Sequence, residues 1–273
     1  RKQYFRALAQ YIEVRFDMSA SDAAALTAAI KEALGTDVTM HTAEAYAEKL
    51  RAFLPRHQAE NGFQIITGDA ARAAAEYAAK TAYKETDAAT YQAMEALVHN
   101  LNTMNSRAGA QVPFSSLNYG TDTSPEGRMA VHNLLRATEA GLGDGETPIF
   151  PVQIFKVKEG VNYNEGDPNY DLFRHALRCS AKRLFPNFSF LDAPFNLQYY
   201  NPGDYNTEVA YMGCRTRVMG NVFDNTKEVT CGRGNLSFTS INMPRIGIEA
   251  KGDMKTFYKL LDEKIALVEE QLL

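Results

Sequence analysis

Cysteine is scarce in this chain. There are three in 273 residues, Cys179, Cys214 and Cys231, an odd number with no C-x-x-C pair. That pattern argues against a disulfide framework and against a complete local zinc site, and it fits a reducing cytoplasm. No run of roughly eighteen apolar residues exists to span a bilayer, and no signal-peptide pattern opens the chain. Lys and Arg form no long run and the formal net charge is -4, so there is no general electrostatic reason to bind nucleic acid. An initiator Met is lacking too, and residues 260–273 still follow an amphipathic helical pattern when the sequence stops. The chain therefore reads as a piece of a longer protein. What is present is ordinary globular material, 45% hydrophobic and 23% charged, enough for a full core in one large domain or two smaller ones.

Residues 1–90 read as a helical, Ala-rich N-terminal segment. Tyr4, Leu8, Tyr11 and Ile12 share one helical face, and Ala24 to Leu34 makes a second helix stopped by Gly35. A third is expected from Thr42 to Leu54, halted by Pro55, and a fourth from Asp69. His41, His57 and His99 are too widely spaced for a metal site and are read as structural or surface residues. A separate helix is expected from about Thr90 to Asn105, with Tyr91, Met94, Leu97, Val98, Leu101 and Met104 as a core-packing stripe.

From there strands alternate with helices. Residues 111–120 read as a strand whose polar residues interleave with apolar ones, as on a strand with one face on a core and the other on a polar cavity. Ser124 and Pro125 cap and open a helix that runs to Gly141. Residues 149–157 form the next strand, and a helix follows over 169–184 with Leu172, Phe173, Ala176, Leu177 and Ala181 inward. His175 and Cys179 share a face of it. A metal pair is conceivable there, but no third ligand is near, and packing is the better reading. A strand is expected over 236–243, ended by Pro244, with a closing helix from about Asp253. The alternation predicts an α/β class, layered or barrel, with chemistry at strand ends and loops, and residues 111–119, 208–212 and 236–242 in one curved sheet.

The chain is organised around residues 208–217. Val209, Ala210 and Tyr211 form a short β-prone run that delivers Met212, Gly213 and Cys214, with Arg215 and Arg217 close behind. Gly213 permits a sharp turn and places Cys214 at a loop tip with cationic side chains beside it. A free cysteine is usually small core filling. The loop setting instead suits a thiol used for chemistry.

Four stretches, in this order, resemble the anaerobic (class III) ribonucleoside-triphosphate reductases. They are residues 106–124 (Ser-Arg-Ala-Gly-Ala-Gln-Val-Pro-Phe-Ser-Ser-Leu-Asn-Tyr-Gly-Thr-Asp-Thr-Ser), 166–171 (Gly-Asp-Pro-Asn-Tyr-Asp), 212–215 (Met-Gly-Cys-Arg), and 232–246, from Gly-Arg-Gly-Asn-Leu to Ser-Ile-Asn-Met-Pro-Arg-Ile. Four linked motifs are far more specific than one. The resemblance spans residues ~90–273, so the segment 91–273 is expected to be a partial catalytic barrel and 1–90 a possible insertion. It implies part of a ten-stranded α/β barrel of the glycyl-radical type, with Cys214 on a central finger loop. It also implies thiyl-radical reduction of ribonucleoside triphosphates to deoxyribonucleoside triphosphates.

By the same resemblance Cys214, Met212 and Asn235 are the catalytic residues, Asn235 as a neutral amide for the ribose hydroxyls within ~10 Å of the sulfur. Gln111, Ser115, Ser116 and Asn242 are the substrate-binding candidates, Asn242 reading better as a structural strand-end residue. The Met-Gly-Cys form resembles the subclass with formate as reductant. The family further implies a glycyl radical installed by an S-adenosylmethionine/iron-sulfur activase, dNTP and ATP effectors, a homodimer, and a four-cysteine zinc site. No metal ligand is expected within this chain. The glycyl-radical segment and zinc site should lie downstream, and a second active-site cysteine with part of the effector site upstream. Cys231 has no family counterpart and reads as packing. A formate-lyase type of glycyl-radical enzyme would share the barrel, but commonly carries adjacent cysteines where Cys214 is flanked by Gly213 and Arg215. A non-catalytic scaffold is the alternative of another class, disfavoured by Cys214 and Asn235 being present together.

Overall fold

The computed structural model describes residues 1–61, 66–105, 112–214, 216–217, 224, 226 and 239–272. Four helices come first: α1 (Lys2–Arg15), α2 (Ala20–Leu34), α3 (Ala43–Asn61) and α4 (Gly68–Thr103). Tyr4, Phe5, Leu8 and Ile12 of α1 are buried on one stripe, against Ile30, Leu50, Leu54 and the alanines 71, 74, 75 and 78. Alanine on the buried face of α4 lets the α1 and α3 backbones come close, and these helices pack together. Ser19 caps α2 by accepting from the Asp22 amide at 3.1 Å, and Gly35 closes it at φ +77.

Two helix expectations are corrected. Pro55 does not halt α3, which continues to Asn61. The missing proline N–H is outweighed by packing on both sides of it: Leu50, Leu54 and Gln58 are buried, and the Gln58 side-chain oxygen Oε1 accepts from the Ile66 amide at 2.5 Å. The helices expected from Asp69 and from Thr90 are one, α4, so residue 90 lies within a continuous helix. The N-terminal half of α4 serves the first core, and Val98 belongs to a second, with Leu134 and Ala137.

The second half holds a three-stranded parallel sheet in the order β1 (Ser116–Tyr119), β2 (Val152–Val157), β3 (Asn187–Phe190). Helix α5 (Pro125–Ala140) connects β1 to β2, and α6 (Tyr170–Arg183) connects β2 to β3. The α5 ends are those expected: Ser124 accepts from the Gly127 amide at 3.0 Å, Pro125 opens the helix, and Gly141 follows at φ +87. Both helices lie on one face, because Val131 and Leu135 of α5 and Leu172, Ala176 and Cys179 of α6 pack together on Phe155 and Val157. Alternation along the strands sends Leu117, Tyr119, Gln153 and Phe155 to that face and Ser116, Asn118, Ile154, Lys156 and Ser189 to the other. On α6 the inward stripe is Leu172, His175, Ala176 and Cys179; Leu177 and Ala181 are exposed, contrary to expectation. Leu172, Phe173 and Ala176 do face the core as expected, while Leu177 and Ala181 lie further around the helix, on the side of it turned to solvent. β3 had no counterpart among the expected strands.

After α7 (Pro194–Leu197) and a 3-10 turn at Tyr205–Thr207, β4 (Tyr211–Met212) pairs antiparallel with β5 (Thr216–Arg217). The expectation that 111–119 and 208–212 share one sheet is corrected: β1 and β4 belong to different sheets. Of the expected strand 236–243, residues 236–238 lie outside the described ones. Residues 239–242 form no strand, and Met243 opens helix α8 (Met243–Ala250). Pro244 there sits in the first turn of a helix, where its missing N–H costs nothing. Asp253 then caps α9 (Met254–Leu272), accepting from the Thr256 amide at 3.1 Å.

Candidate active site

The C-terminal end of β1 is tied down first. Gly120 has φ +124, and a Cβ there would lie 2.8 Å from the Lys156 carbonyl oxygen, so only glycine fits. Its carbonyl accepts from two fully buried carboxamides, Asn162 at 3.0 Å and Asn169 at 3.1 Å. Asn162 also donates to the Lys156 carbonyl at 2.9 Å and accepts from the Lys158 amide at 2.9 Å. Asn169 also donates to the Asp122 carbonyl at 2.8 Å, and its oxygen accepts from Arg128 at 2.8 Å. Arg128 reaches on to the Pro168 carbonyl and to Asp171 at 2.7 Å. Burial raises the Asp171 carboxyl, but the bond and charge of Arg128 outweigh it and hold that group below its ordinary value. The 166–171 motif is thus a satisfied polar knot under β1.

Cys214 sits on the turn between β4 and β5 and is exposed. Gly213 takes φ +64 and a Cβ there would touch the Phe114 ring at 3.6 Å, so the turn closes as its sequence predicts. Met212, half-buried, pairs with Thr216 across the ribbon. Tyr211 packs against the cluster of Phe150, Val152 and Ile154, which places the ribbon on the sheet face away from α5 and α6. Asn118 and Ser116 meet it from β1. The Asn118 carboxamide donates to the Tyr211 carbonyl at 2.7 Å and accepts from the Tyr211 amide at 2.9 Å. The Ser116 hydroxyl oxygen accepts from the Gly213 amide at 3.2 Å. Ahead of β4, Glu208 pairs with Lys156.

The expectation of two cations beside the thiol is corrected in part. Arg217 is committed elsewhere: it donates to the Phe195 carbonyl at 2.7 Å and Asn196 Oδ1 at 3.0 Å, between the rings of Phe195 and Tyr199. Arg215 lies outside the described residues. So do Gln111, Cys231 and Asn235, and with Asn235 its expected proximity to Cys214. Ser115 is half-buried and donates to the Pro113 carbonyl at 3.4 Å. Asn242 is exposed and not at a strand end; its side-chain oxygen caps α8, accepting from the Arg245 amide at 3.0 Å. The structure brings Ser116, Met212 and Cys214 together and leaves Asn242 on a helix cap.

Cys179 contrasts with Cys214. It is fully buried, its thiol donates to the Leu135 carbonyl at 3.7 Å, and burial, reinforced by Glu139, pushes it up to about 11. Its setting is that of a packing cysteine. His175 beside it bonds Glu139 at 3.2 Å. Among the described residues no cluster of three or more His, Cys, Asp or Glu is arranged to hold a metal, so the implied zinc finds no fit there. No described helix is long and apolar enough to cross a membrane. Sequence reasoning missed Asn118, Lys156, Glu208 and Arg217 as supports of the turn. The alternation along 111–120, polar toward one side, was the available signal for Asn118.

The family model for anaerobic ribonucleoside-triphosphate reductase matches residues 42–273. It therefore reaches into the helical segment, further toward the start than the motifs alone suggest. Anaerobic ribonucleoside-triphosphate reductases from three bacteria are similar to this chain. That of Escherichia coli is 38% identical over 184 residues, 67% of this chain and 25% of that protein. That of Salmonella typhimurium is 37% identical over 193 residues, 70% and 26% respectively. That of Haemophilus influenzae is 35% identical over 184 residues, 67% and 25%. The chain thus spans about a quarter of the length of the curated relatives it matches. With most of its length matched, and an exposed thiol held on a glycine turn against the first sheet strand, the chain belongs to the anaerobic ribonucleoside-triphosphate reductase family.

Proposed function

We propose that this chain is the thiol-bearing part of an anaerobic reductase that converts ribonucleoside triphosphates to deoxyribonucleoside triphosphates. The observation that carries the reading is Cys214, exposed on the Gly213 turn while Cys179 is buried. In the complete enzyme a glycyl radical, installed by an S-adenosylmethionine/iron-sulfur activase, supplies the oxidising equivalent. Cys214 gives up its thiol hydrogen and then takes the 3′ hydrogen of the ribose, an exchange made nearly reversible by similar S–H and C–H strengths. The 2′ hydroxyl leaves as water, formate supplies the reducing electrons, and Cys214 returns the hydrogen. Met212 stands two residues before Cys214, where the formate-using subclass has its finger-loop methionine. Asn235 is assigned the ribose hydroxyls, and Gln111, Ser115, Ser116 and Asn242 are substrate contacts of lower rank, Ser116 and Asn242 already holding backbone amides.

The parallel β1–β2–β3 ladder with both helices on one face is the unit that an α/β barrel repeats, which supports a segment of the family's ten-stranded barrel. Residues 1–90 are proposed as the helical segment and 91–273 as the partial barrel, with α4 running across the boundary between them. The same reading includes dNTP and ATP effectors, a homodimer, zinc in a part of the protein outside this chain, and a cytoplasmic location. The test uses the complete, anaerobically activated enzyme with carbon-13 formate and a 3′-deuterated ribonucleoside triphosphate. Labelled carbon dioxide should form one for one with deoxynucleotide that keeps its deuterium at 3′. Deoxynucleotide formed without formate, or with the 3′ label lost to solvent, contradicts it.

A further inference from the structure

We propose that Asn118 is a positioning residue for Cys214, its carboxamide standing in for a strand neighbour of Tyr211. The proposal rests on the reading of Cys214 as the reacting sulfur. Among the described residues β4 and β5 pair over Tyr211–Met212 and Thr216–Arg217, a short ribbon that its own ladder holds weakly. What fixes it to the sheet is a reciprocal pair of bonds: Asn118 Nδ2 donates to the Tyr211 carbonyl at 2.7 Å and Oδ1 accepts from its amide at 2.9 Å. This is the exchange made by directly opposed residues of an antiparallel ladder, supplied here by a side chain. A carboxamide offers donor and acceptor side by side; a carboxylate or an aliphatic chain does not. Ser116, on the same face, takes the Gly213 amide at 3.2 Å, so two β1 side chains together hold the backbone leading to the sulfur.

Asn118 is itself immobilised. It pairs with Ile154 in the parallel ladder, and the Tyr119 hydroxyl next to it donates to Gln153 at 2.6 Å. Gly120, just beyond, is locked by Asn162 and Asn169. The chain of contacts runs from the buried knot through Asn118 and Tyr211 to the Gly213–Cys214 turn. A sulfur that must meet a ribose hydrogen at contact distance tolerates little displacement, so the support controls the rate of the chemical step more than binding.

The experiment uses the complete enzyme and three variants, Asn118→Ala, Asn118→Asp and Cys214→Ser. Protection of the Tyr211 and Gly213 amides is read by hydrogen exchange on the peptide 208–214, and kcat and KM by deoxynucleotide formation. In Asn118→Ala, protection at Tyr211 falls by about tenfold, the order expected for two lost neutral hydrogen bonds, and kcat falls with KM unchanged. In Asn118→Asp the ionised carboxylate opposes the Tyr211 carbonyl at neutral pH, and protonation restores a donor. Protection relative to wild type therefore rises as pH is lowered, which loss of fold would not produce. Unchanged Tyr211 protection in Asn118→Ala overturns the proposal. So does lost protection with kcat intact while Cys214→Ser is inactive, for then the clamp exists but does not position the sulfur. Activity persisting in Cys214→Ser overturns instead the reading of Cys214 on which the proposal stands.

Discussion

Lys156 on β2 and Glu208, just ahead of β4, meet at 2.6 Å with side chains 12% and 22% exposed. The pair crosses from the sheet to the segment that carries Cys214, and its shielding makes it more than a surface ion pair. Lys156→Met leaves the Glu208 carboxylate half-buried and unpaired, and should cost about 3 kcal/mol of stability. The double change Lys156→Met with Glu208→Leu should recover to within about 1 kcal/mol of wild type, since no uncompensated charge remains. Denaturant unfolding of the single and double variants checks it. A double variant as unstable as the single one would show that the pair's geometry, and not an orphaned charge, carries the cost.

The polar knot below Gly120 makes a second prediction. Asn169→Ala removes donors to the Gly120 and Asp122 carbonyls and leaves Arg128 without one acceptor. Buried groups stripped of partners in this way cost about 1–3 kcal/mol each, so a loss of about 3 kcal/mol is expected. Asn169→Asp should be nearly as harmful, because its oxygens face two carbonyls. A calorimetric midpoint close to wild type for either variant would remove the knot as a source of stability.

Acidification should destabilise the α5–α6 pair in two stages. Burial, with His175 and Arg136 nearby, holds His132 below its ordinary 6.5 against the smaller opposing pull of Asp87 and Asp171. The unfolded chain then takes up a proton before the folded one, and stability declines as pH falls below 6.5. Burial raises the Glu139 carboxyl, but the His175 bond and Arg178 prevail and hold it below 4.5. Its contribution is complete above 4.5 and is lost as pH falls through the lowered folded value. Unfolding free energy measured across pH should lose the upper slope in His132→Gln and the lower slope in Glu139→Gln. Slopes identical to wild type in both would contradict these assignments.

What could be read from residues alone was local. The Ser124–Pro125 start and Gly141 stop of α5, the β2 run, the shared face of His175 and Cys179, and the glycine turn at Cys214 each depend on neighbours close in sequence. The departures are tertiary. Pro55 is carried through α3 by burial of Leu54 and Gln58, and α4 continues across residue 90 because one side packs on α1 and α3 and the other end on α5. Pro244 opens a helix although proline equally suits a strand's end. The partners of Asn118 and Lys156 lie 93 and 52 positions away, which no spacing rule reaches. Arg217 looked like a cation for the thiol and is instead taken by Asn196 and two rings.

The two described thiols should separate cleanly in reactivity. Iodoacetamide on the native protein should label Cys214, which is exposed, and spare Cys179, which is buried and pushed up to about 11. Cys179 should become reactive only on denaturation, and Cys179→Ala should cost roughly 1 kcal/mol or a little more. Peptide mass spectrometry reads both. Labelling of Cys179 at the rate of Cys214 in native buffer would undo the distinction between packing and reacting cysteine.

The central claim, that Cys214 carries the hydrogen-atom chemistry, is tested most directly by Cys214→Ser in the complete, anaerobically activated enzyme supplied with formate and a ribonucleoside triphosphate. A serine O–H is too strong for the glycyl radical to break. The account predicts a variant that accumulates its glycyl radical, read by electron paramagnetic resonance, and forms no deoxynucleotide. Deoxynucleotide formed at a measurable rate by that radical-bearing variant would contradict it.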